Sequence, residues 1–553
     1  MSQHDIWFEN FRKSKTQALF ERNPVAYFCT EFGINNQFPI AGGLGVLAGD
    51  IVKEAFDQKF PMVGVGLFYY HGYKSAVTDN HQTLSPEQMG LKPAIGSDGE
   101  RIKIAVSVNS KEVVVKGWVY DSETVPVYFL DTNVEENEPE YSRISDYLYS
   151  GDQDVRIMQE IILGIGGVKF LEAAGYQPSI YHMNDSYGAF LAYQVAQNIA
   201  KNEKIEFRNA MQKAVRQIAY TNHTLVAVGN DAFPVELVET HLNNYARQNG
   251  LNLQDLILYG HVPGEKSFSM TLLALKSSGA TNCVSQLHSR EAKELWPEFK
   301  IGAVTNGIHL KTWDKIGPGK NAFEAHQKNK QILLDRINSQ TGGKWEQNEL
   351  VLCWAKRIVS YKRPLALFEK IRELVPIVNN PNQPLRIIIA GVPHHADSAG
   401  IQMVNEIKRL AGAELREHLV YIDNYSLDVA KHLVSGADVW LNTPMVGWEA
   451  CGTSTMKAAL NGTLLISTKD GWLAEVGLEK IGWTLSSENI GDDIIETLKN
   501  KVVPLYYNSG RGKPSDEWFK KMDSARVLVS DEFSASRMLK EYIEKLYLRS
   551  FGP

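Results

Sequence analysis

The chain has 553 residues, 44% of them hydrophobic and 22% charged, and a formal net charge of −6. That length exceeds what one hydrophobic core accommodates and calls for two large domains. The negative balance excludes a blanket attraction to nucleic acid or to an anionic membrane, so any anion site has to be a local basic cluster.

Short apolar strands alternate with amphipathic helices, the pattern of parallel α/β architecture. Residues 25–30 read as a strand, 42–56 as a glycine-rich turn and helix, and 61–70 as a second strand. A β-rich insert is expected over 103–108, 112–120 and 124–130, then a helix over 152–174. Buried strands follow at 180–183, 217–221, 282–285 and 301–304. A polar segment, 317–347, interrupts the pattern and suggests a hinge near 311–348. Strands resume at 350–355, 386–390, 419–422, 439–442 and 464–467. The expected fold class is α/β, with two doubly wound, Rossmann-like domains, 1–315 and 345–553. The last helix, about 534–548, is expected to fold back over the first domain. In such sheets ligands bind beyond the carboxyl ends of the strands. Two facing domains would therefore hold their site in a cleft between them.

The four cysteines, Cys29, Cys283, Cys353 and Cys451, are scattered and form no CxxC pair. Neither a metal site nor a disulfide framework is expected. No apolar run reaches the roughly 18 residues of a membrane span, and the polar amino terminus lacks a signal-peptide core. A cytoplasmic, soluble protein is the expectation.

Five segments carry chemistry. The first is Glu449-Ala450-Cys451-Gly452-Thr453-Ser454-Thr455-Met456-Lys457. Gly452, Thr453 and Ser454 open a short helix, and Thr453 and Lys457 lie one turn apart on one face. A helix start favours phosphate, and Lys457 can reach a carbonyl attached to that phosphate. A phosphorylated aldehyde such as pyridoxal phosphate has that shape. Read alone, such a run is more often a cap and a solvated lysine. The second segment is Lys356-Arg357-Ile358-Val359-Ser360-Tyr361-Lys362-Arg363-Pro364, leaving the strand 350–355. Four cations in eight residues repel one another unless anions sit among them. Arginine offers a planar fork for phosphate and lysine a point charge.

The third segment is Ala41-Gly42-Gly43-Leu44-Gly45, where glycines let backbone approach a ligand and a helix start can cradle an anion. The fourth is Tyr220-Thr221-Asn222-His223-Thr224; a lone His after a strand is more often structural. The fifth is Val304-Thr305-Asn306-Gly307-Ile308, whose Asn-Gly pair also suits a plain turn. The pair Asn184-Asp185 ends another strand. Glu449 suits a helix N-terminus, and no second motif carboxylate pairs with it as a glycosidase dyad.

In this order, from Tyr27 to about Glu475, the segments resemble the α-glucan phosphorylases, a family of PLP-dependent GT-B glycosyltransferases, in a short branch. The resemblance implies that pyridoxal 5'-phosphate is bonded to Lys457, with Lys356, Thr453, Ser454 and Gly43 around it. It implies that Arg357 and Lys362 hold substrate phosphate and that His223 contacts the glucosyl unit, these two cations, Lys457 and His223 forming the catalytic set. It assigns Gly42, Leu44, Asn184, Asp185, Asn306, Tyr361, Glu449 and Gly452 to substrate. The implied reaction is phosphorolysis of a terminal α-1,4-linked glucose of a glucan or maltodextrin. Inorganic phosphate attacks and glucose 1-phosphate leaves with retained configuration, the cofactor phosphate relaying a proton. No metal, nucleic acid or membrane enters this reading, and a homodimer is one assembly it admits. The alternative is a nucleotide-sugar-dependent GT-B glucan synthase, which the Thr-Ser-x-Met-Lys helix argues against. Three departures stand out: Tyr187 where many relatives have His, Ser454-Thr455 in place of Gly-Asn, and Asn424-Tyr425-Ser426 where larger members place an arginine near the cofactor phosphate.

Overall fold

The computed structural model describes residues 3–73, 83–225, 231–508, 510 and 512–551. The chain divides into two compact units. The first takes the chain up to Tyr73, on to Val304, and again from Ser536; the second is built on Thr305–Ala535.

The first unit is organised by a ten-stranded sheet. Its centre is Val25–Phe28, flanked on one side by Met62–Leu67 and Val127–Asp131. On the other side lie Ile180–Asn184, Ile218–Asn222, Ala280–Cys283 and Ile301–Ala303. All of these pair in parallel. The order reverses between Val25–Phe28 and Ile180–Asn184, so the carboxyl ends of these two strands frame the switch point of a doubly wound sheet. Both strands are buried along their whole length, as expected of parallel strands covered on both faces.

The second unit has a six-stranded, wholly parallel sheet in the order Leu419–Ile422, Leu385–Ala390, Leu350–Ala355, Val439–Asn442, Leu464–Ser467, Gly482–Thr484. In chain order that is 3-2-1-4-5-6, the dinucleotide-fold arrangement. Its switch point lies between Leu350–Ala355 and Val439–Asn442. The first of these leads straight into Lys356-Arg357, and the second leads through a short loop to Glu449.

Three sequence expectations are modified. The strand expected over 124–130 is not part of an insert. Val127–Asp131 pairs in parallel with Met62–Leu67 and belongs to the main sheet, while Lys103–Val108 and Lys111–Tyr120 extend it with antiparallel pairing. The polar segment 317–347 contains a twenty-residue helix, Ala322–Thr341, capped by Asn321, whose side chain accepts from Glu324 N. Its buried stripe includes His326 and Lys330 as well as leucines, which hides the apolar period. Lys330 is buried because its ammonium meets Asp438 at 2.5 Å and Tyr506 at 2.8 Å, and His326 also meets Asp438, at 3.3 Å. The helix expected over 152–174 is continuous but passes through a π-helical turn at Ile162–Gly166.

The carboxyl-terminal segment joins the first unit. Ala535–Tyr542 continues into Ile543–Tyr547. His182, on the central strand Ile180–Asn184, holds Tyr547 at 2.8 Å through Nδ1 and Thr221 at 2.7 Å through Nε2. Burial pushes this imidazole down to about 3, so it stays neutral and serves as a hydrogen-bonding spacer. The four cysteines are buried and free. Among the described residues, no helix is long and apolar enough to cross a membrane, and no group of three or more His, Cys, Asp or Glu is placed to hold a metal ion.

Candidate active site

In the second unit the basic segment and the Glu449 loop meet at the switch point. Glu449 accepts from Lys356 Nζ at 2.6 Å and from Lys362 Nζ at 3.2 Å, one lysine on each carboxylate oxygen. Burial is the largest influence on all three groups. It depresses the Lys356 ammonium, which also feels Lys362. At Lys362 the attraction of Glu449 outweighs burial, and the ammonium is raised. Burial alone would raise the Glu449 carboxyl, but the two lysines hold it down to about 2. Two ammoniums on one carboxylate leave one positive charge over, and Arg357 stands exposed next to it in the chain. Asp470 also acts on Lys356, so three cations, Lys356, Arg357 and Lys362, stand against two carboxylates, and the one positive charge left over suits an anion.

The fourth cation of the segment does different work. The Arg363 guanidinium donates to the carbonyls of Thr443 and Pro444, each at 2.8 Å, and of Ser487 at 2.9 Å. It ties down the loop that carries Glu449. Asp470, which the sequence reading missed, holds the same loop from below. Its Oδ2 accepts from Glu449 N at 3.0 Å and its Oδ1 from Gly471 N at 2.8 Å. Burial, with the Glu449 charge adding to it, pushes the Asp470 carboxyl up to about 6. The only sequence signal for Asp470 was a polar run just past the strand Leu464–Ser467. Gly452 has a packing reason: a Cβ there would come 2.7 Å from Glu449 Oε1.

The helix that follows is Ser454–Leu460, with Thr453 at its cap position. Thr453 makes no side-chain bond to the helix N–H groups. Its hydroxyl instead accepts from Lys457 Nζ at 3.0 Å. The Lys457 amine also lies 4.2 Å from the centre of the Trp313 ring, and the residue is only 5% exposed. Trp313 was another residue the sequence reading did not single out. Asn306 reaches the same loop by donating from its amide to the Cys451 carbonyl at 3.1 Å. Within one unit, Lys356 and Lys362 thus meet on Glu449, Thr453 meets Lys457, and Asn306 holds the loop that carries Glu449 and Gly452 to them, with Arg357, Tyr361 and Ser454 adjoining in the chain.

The first unit gathers the remaining candidates at its own switch point. His223 Nε2 meets Asn184 Oδ1 at 2.6 Å, and the Asn184 amide donates to Cys29 Sγ at 3.3 Å. Burial, reinforced by His288 and His182, pushes the His223 imidazole down to about 3. Asp185 takes φ +71°, in the left-handed region, and its backbone N–H donates to Thr221 O at 2.9 Å. A non-glycine residue held there costs roughly 1–3 kcal/mol and such strain clusters at functional sites.

The glycine turn begins the helix Gly43–Asp57, and no side chain caps it at Gly42. A Cβ on Gly42 or Gly43 would meet nothing within 4 Å, whereas one on Gly45 would come 2.7 Å from Glu31 Oε2 and one on Gly49 2.3 Å from Gly33 O. Gly45 and Gly49 therefore serve close packing. At Gly42 and Gly43 the chain's own packing does not demand glycine, which leaves room for a ligand. Leu44, between them and Gly45, is half-buried. Glu31 braces the turn, accepting from Ala41 N at 2.7 Å and from Tyr149 OH at 3.0 Å. Tyr187 packs on Tyr149 with ring centres 5.5 Å apart, beside a small cavity that Arg156, Glu160 and Asp231 also line.

Two outcomes follow from this half. Burial holds the Asp185 carboxyl up to about 7, above its unfolded value of 3.8. A carboxyl raised on folding binds more protons in the folded state, so it lowers stability as pH rises through that window. Asp185→Asn should therefore gain thermal stability relative to wild type, more at pH 8 than at pH 5. An equal gain at both pH values would mean that the carboxyl ionises as freely as in the unfolded chain. Tyr187→Phe keeps the ring that packs on Tyr149, so turnover should stay within about tenfold of wild type, as the loss of one neutral hydrogen bond permits. A collapse of turnover would give the hydroxyl a chemical role.

A family model described as carbohydrate phosphorylase matches residues 318–487. The chain is similar to the maltodextrin phosphorylase of Thermococcus litoralis, at 33% identity over all of this chain and 73% of that protein. It is similar to the glycogen phosphorylase of Aquifex aeolicus, at 30% over 97% of this chain and 87% of that protein. A glycogen phosphorylase of Mycobacterium tuberculosis is 29% identical over 98% of this chain and 72% of its own length. The matched family segment contains the basic run and Glu449, which the second sheet brings to its switch point, and Lys457, and the chain belongs to the carbohydrate phosphorylase family.

Proposed function

We propose that this chain is a soluble, cytoplasmic α-1,4-glucan phosphorylase that uses pyridoxal 5'-phosphate and has the GT-B arrangement. The observation that carries the reading is the pairing of Lys356 and Lys362 on Glu449, on the loop that leads within eight residues to the buried Lys457. The residues fit the cofactor. Lys457 presents a buried amine to a site with a flat aromatic neighbour, Trp313. The surplus positive charge of Lys356, Arg357 and Lys362 over the nearby carboxylates suits its phosphate and that of the substrate. When bound, the cofactor supplies a phosphate that donates and accepts a proton against substrate phosphate.

The protein's own groups have separate tasks in this reading. Lys356 would hold the cofactor phosphate. Arg357 and Lys362 hold inorganic phosphate and offset the repulsion between two close anions. Glu449, ionised at every working pH, accepts from sugar hydroxyls as well as from the lysines. His223, kept neutral, contacts the glucosyl unit without adding charge beside a sugar that becomes positive. Gly42 and Gly43 bring backbone, rather than side chains, to the sugar and phosphate.

Incubation with maltodextrin and inorganic phosphate should release glucose 1-phosphate of α configuration, and glucose 1-phosphate with a maltooligosaccharide primer should release phosphate. Turnover of a nucleotide glucose with no phosphate-dependent activity would instead establish the synthase reading.

A further inference from the structure

Among the described residues eleven large apolar side chains are exposed, and three of them fall on one short loop: Met445 at 40%, Val446 at 44% and Trp448 at 48%. Exposed apolar groups gathered on one patch mark a binding surface more often than scattered ones do. This loop is held firmly at its root. Arg363 binds the carbonyls of Thr443 and Pro444, and Met445 N donates to Tyr361 O at 2.8 Å. Gly447, at φ +85°, turns the chain, and Trp448 N then donates to Met445 O at 3.1 Å. The turn sets the Trp448 ring beside Tyr361, with centres 6.1 Å apart and planes at 34°. An indole kept half exposed on a braced loop is a preorganised face rather than a core residue.

We propose that Trp448, with Tyr361 and Met445 beside it, forms a platform on which the glucan chain stacks as it enters the site. The proposal rests on the phosphorylase reading above. The occupant follows from continuity. Trp448 immediately precedes Glu449, and Tyr361 immediately precedes Lys362, whose ammonium lies 5.7 Å from the Tyr361 ring centre. The platform therefore extends from the cation cluster. Pyranose rings present apolar C–H faces that lie well on an indole while their hydroxyls stay in water. A protein partner would need about 800 Å² on each side, far more than one such loop offers. Because the platform lies outside the cation cluster, it should grip glucosyl units beyond the one being cleaved. Its effect should therefore grow with chain length.

Calorimetric binding of maltoheptaose and maltotriose to wild type, Trp448→Ala and Trp448→Phe tests this, with phosphorolysis assayed in parallel. Aromatic contacts of this kind are worth about 1 kcal/mol, so Trp448→Ala should weaken maltoheptaose binding roughly fivefold, and maltotriose binding less. Trp448→Phe should recover most of the loss, and the KM for phosphate should not move. Equal binding by Trp448→Ala and wild type overturns the platform, as does an equal loss for both sugars. Absence of maltoheptaose binding in wild type does the same. Conversion of a dimer to a monomer by Trp448→Ala, read by light scattering, would assign the face to a second copy of the chain and also overturn it. Glucan binding without phosphorolysis would sink the phosphorylase reading and leave the platform standing. Phosphorolysis with a chain-length-blind Trp448→Ala would do the reverse.

Discussion

Glu449→Gln should destabilise the protein by about 3 kcal/mol near neutral pH, because removing one partner strands buried charge. Lys356 and Lys362 both rest on this carboxylate, at 2.6 and 3.2 Å. Their side chains are 4% and 14% exposed, so water screens the stranded ammoniums poorly. Urea unfolding measures the loss. The sign with pH follows from the depressed carboxyl. Its stabilising contribution is fully present above the unfolded value of 4.5 and fades only as pH falls towards about 2. The deficit of Glu449→Gln should therefore be constant from pH 6 to 8. Inorganic phosphate should restore part of it, since an added anion replaces the missing charge and stabilises whichever state binds it. Phosphate should stabilise the variant more than the wild type. Equal effects of phosphate on both proteins would remove the lysine pair from the anion site.

The second large effect concerns phosphate itself. Arg357→Ala and Lys362→Ala each remove a charge-assisted contact worth roughly 1.5–3 kcal/mol, so each should lose at least about tenfold in phosphorolysis. The loss should appear mainly in the KM for phosphate, with cofactor content normal. Arg363→Ala is the informative contrast. Its guanidinium is spent on three backbone carbonyls, so it should lower thermal stability and disturb the Glu449 loop rather than read phosphate. If Arg357→Ala and Lys362→Ala both keep wild-type affinity for phosphate and wild-type turnover, the basic run is a surface feature.

That division within the basic run was not legible in the sequence. Four cations in eight positions looked alike, and only the fold shows that Arg363 is turned towards the Thr443–Pro444 loop while Lys356 and Lys362 converge on Glu449. The convergence itself spans 93 and 87 positions and depends on the strand order at the switch point, which local periodicity does not encode. What periodicity does encode came through well. The strands Leu350–Ala355, Leu385–Ala390 and Leu464–Ser467 are apolar from end to end or nearly so, and parallel strands buried on both faces must be. The helix Ala322–Thr341 was hidden for the opposite reason, because its buried face includes His326 and Lys330 paired with Asp438. Polar residues satisfied in the interior erase the pattern that marks a helix. Thr453 was legible as part of a motif, but its engagement of Lys457 instead of the helix N–H groups needed coordinates. Asp470 carried no local signal beyond its polar run after a strand, and Trp313 carried none, because their roles exist only through the third dimension, as a brace of the Glu449 loop and a wall beside Lys457.

The account stands most directly on Lys457. Purified protein supplied with pyridoxal 5'-phosphate should be reduced with borohydride, digested and analysed by mass spectrometry, with phosphorolysis measured before and after reduction. The account predicts a pyridoxyl group on the peptide that contains Met456-Lys457, and substantial activity surviving reduction, because it assigns the chemistry to the phosphate groups held by Lys356, Arg357 and Lys362. Modification of a different lysine, no modification at all, or complete loss of activity on gentle reduction would contradict it.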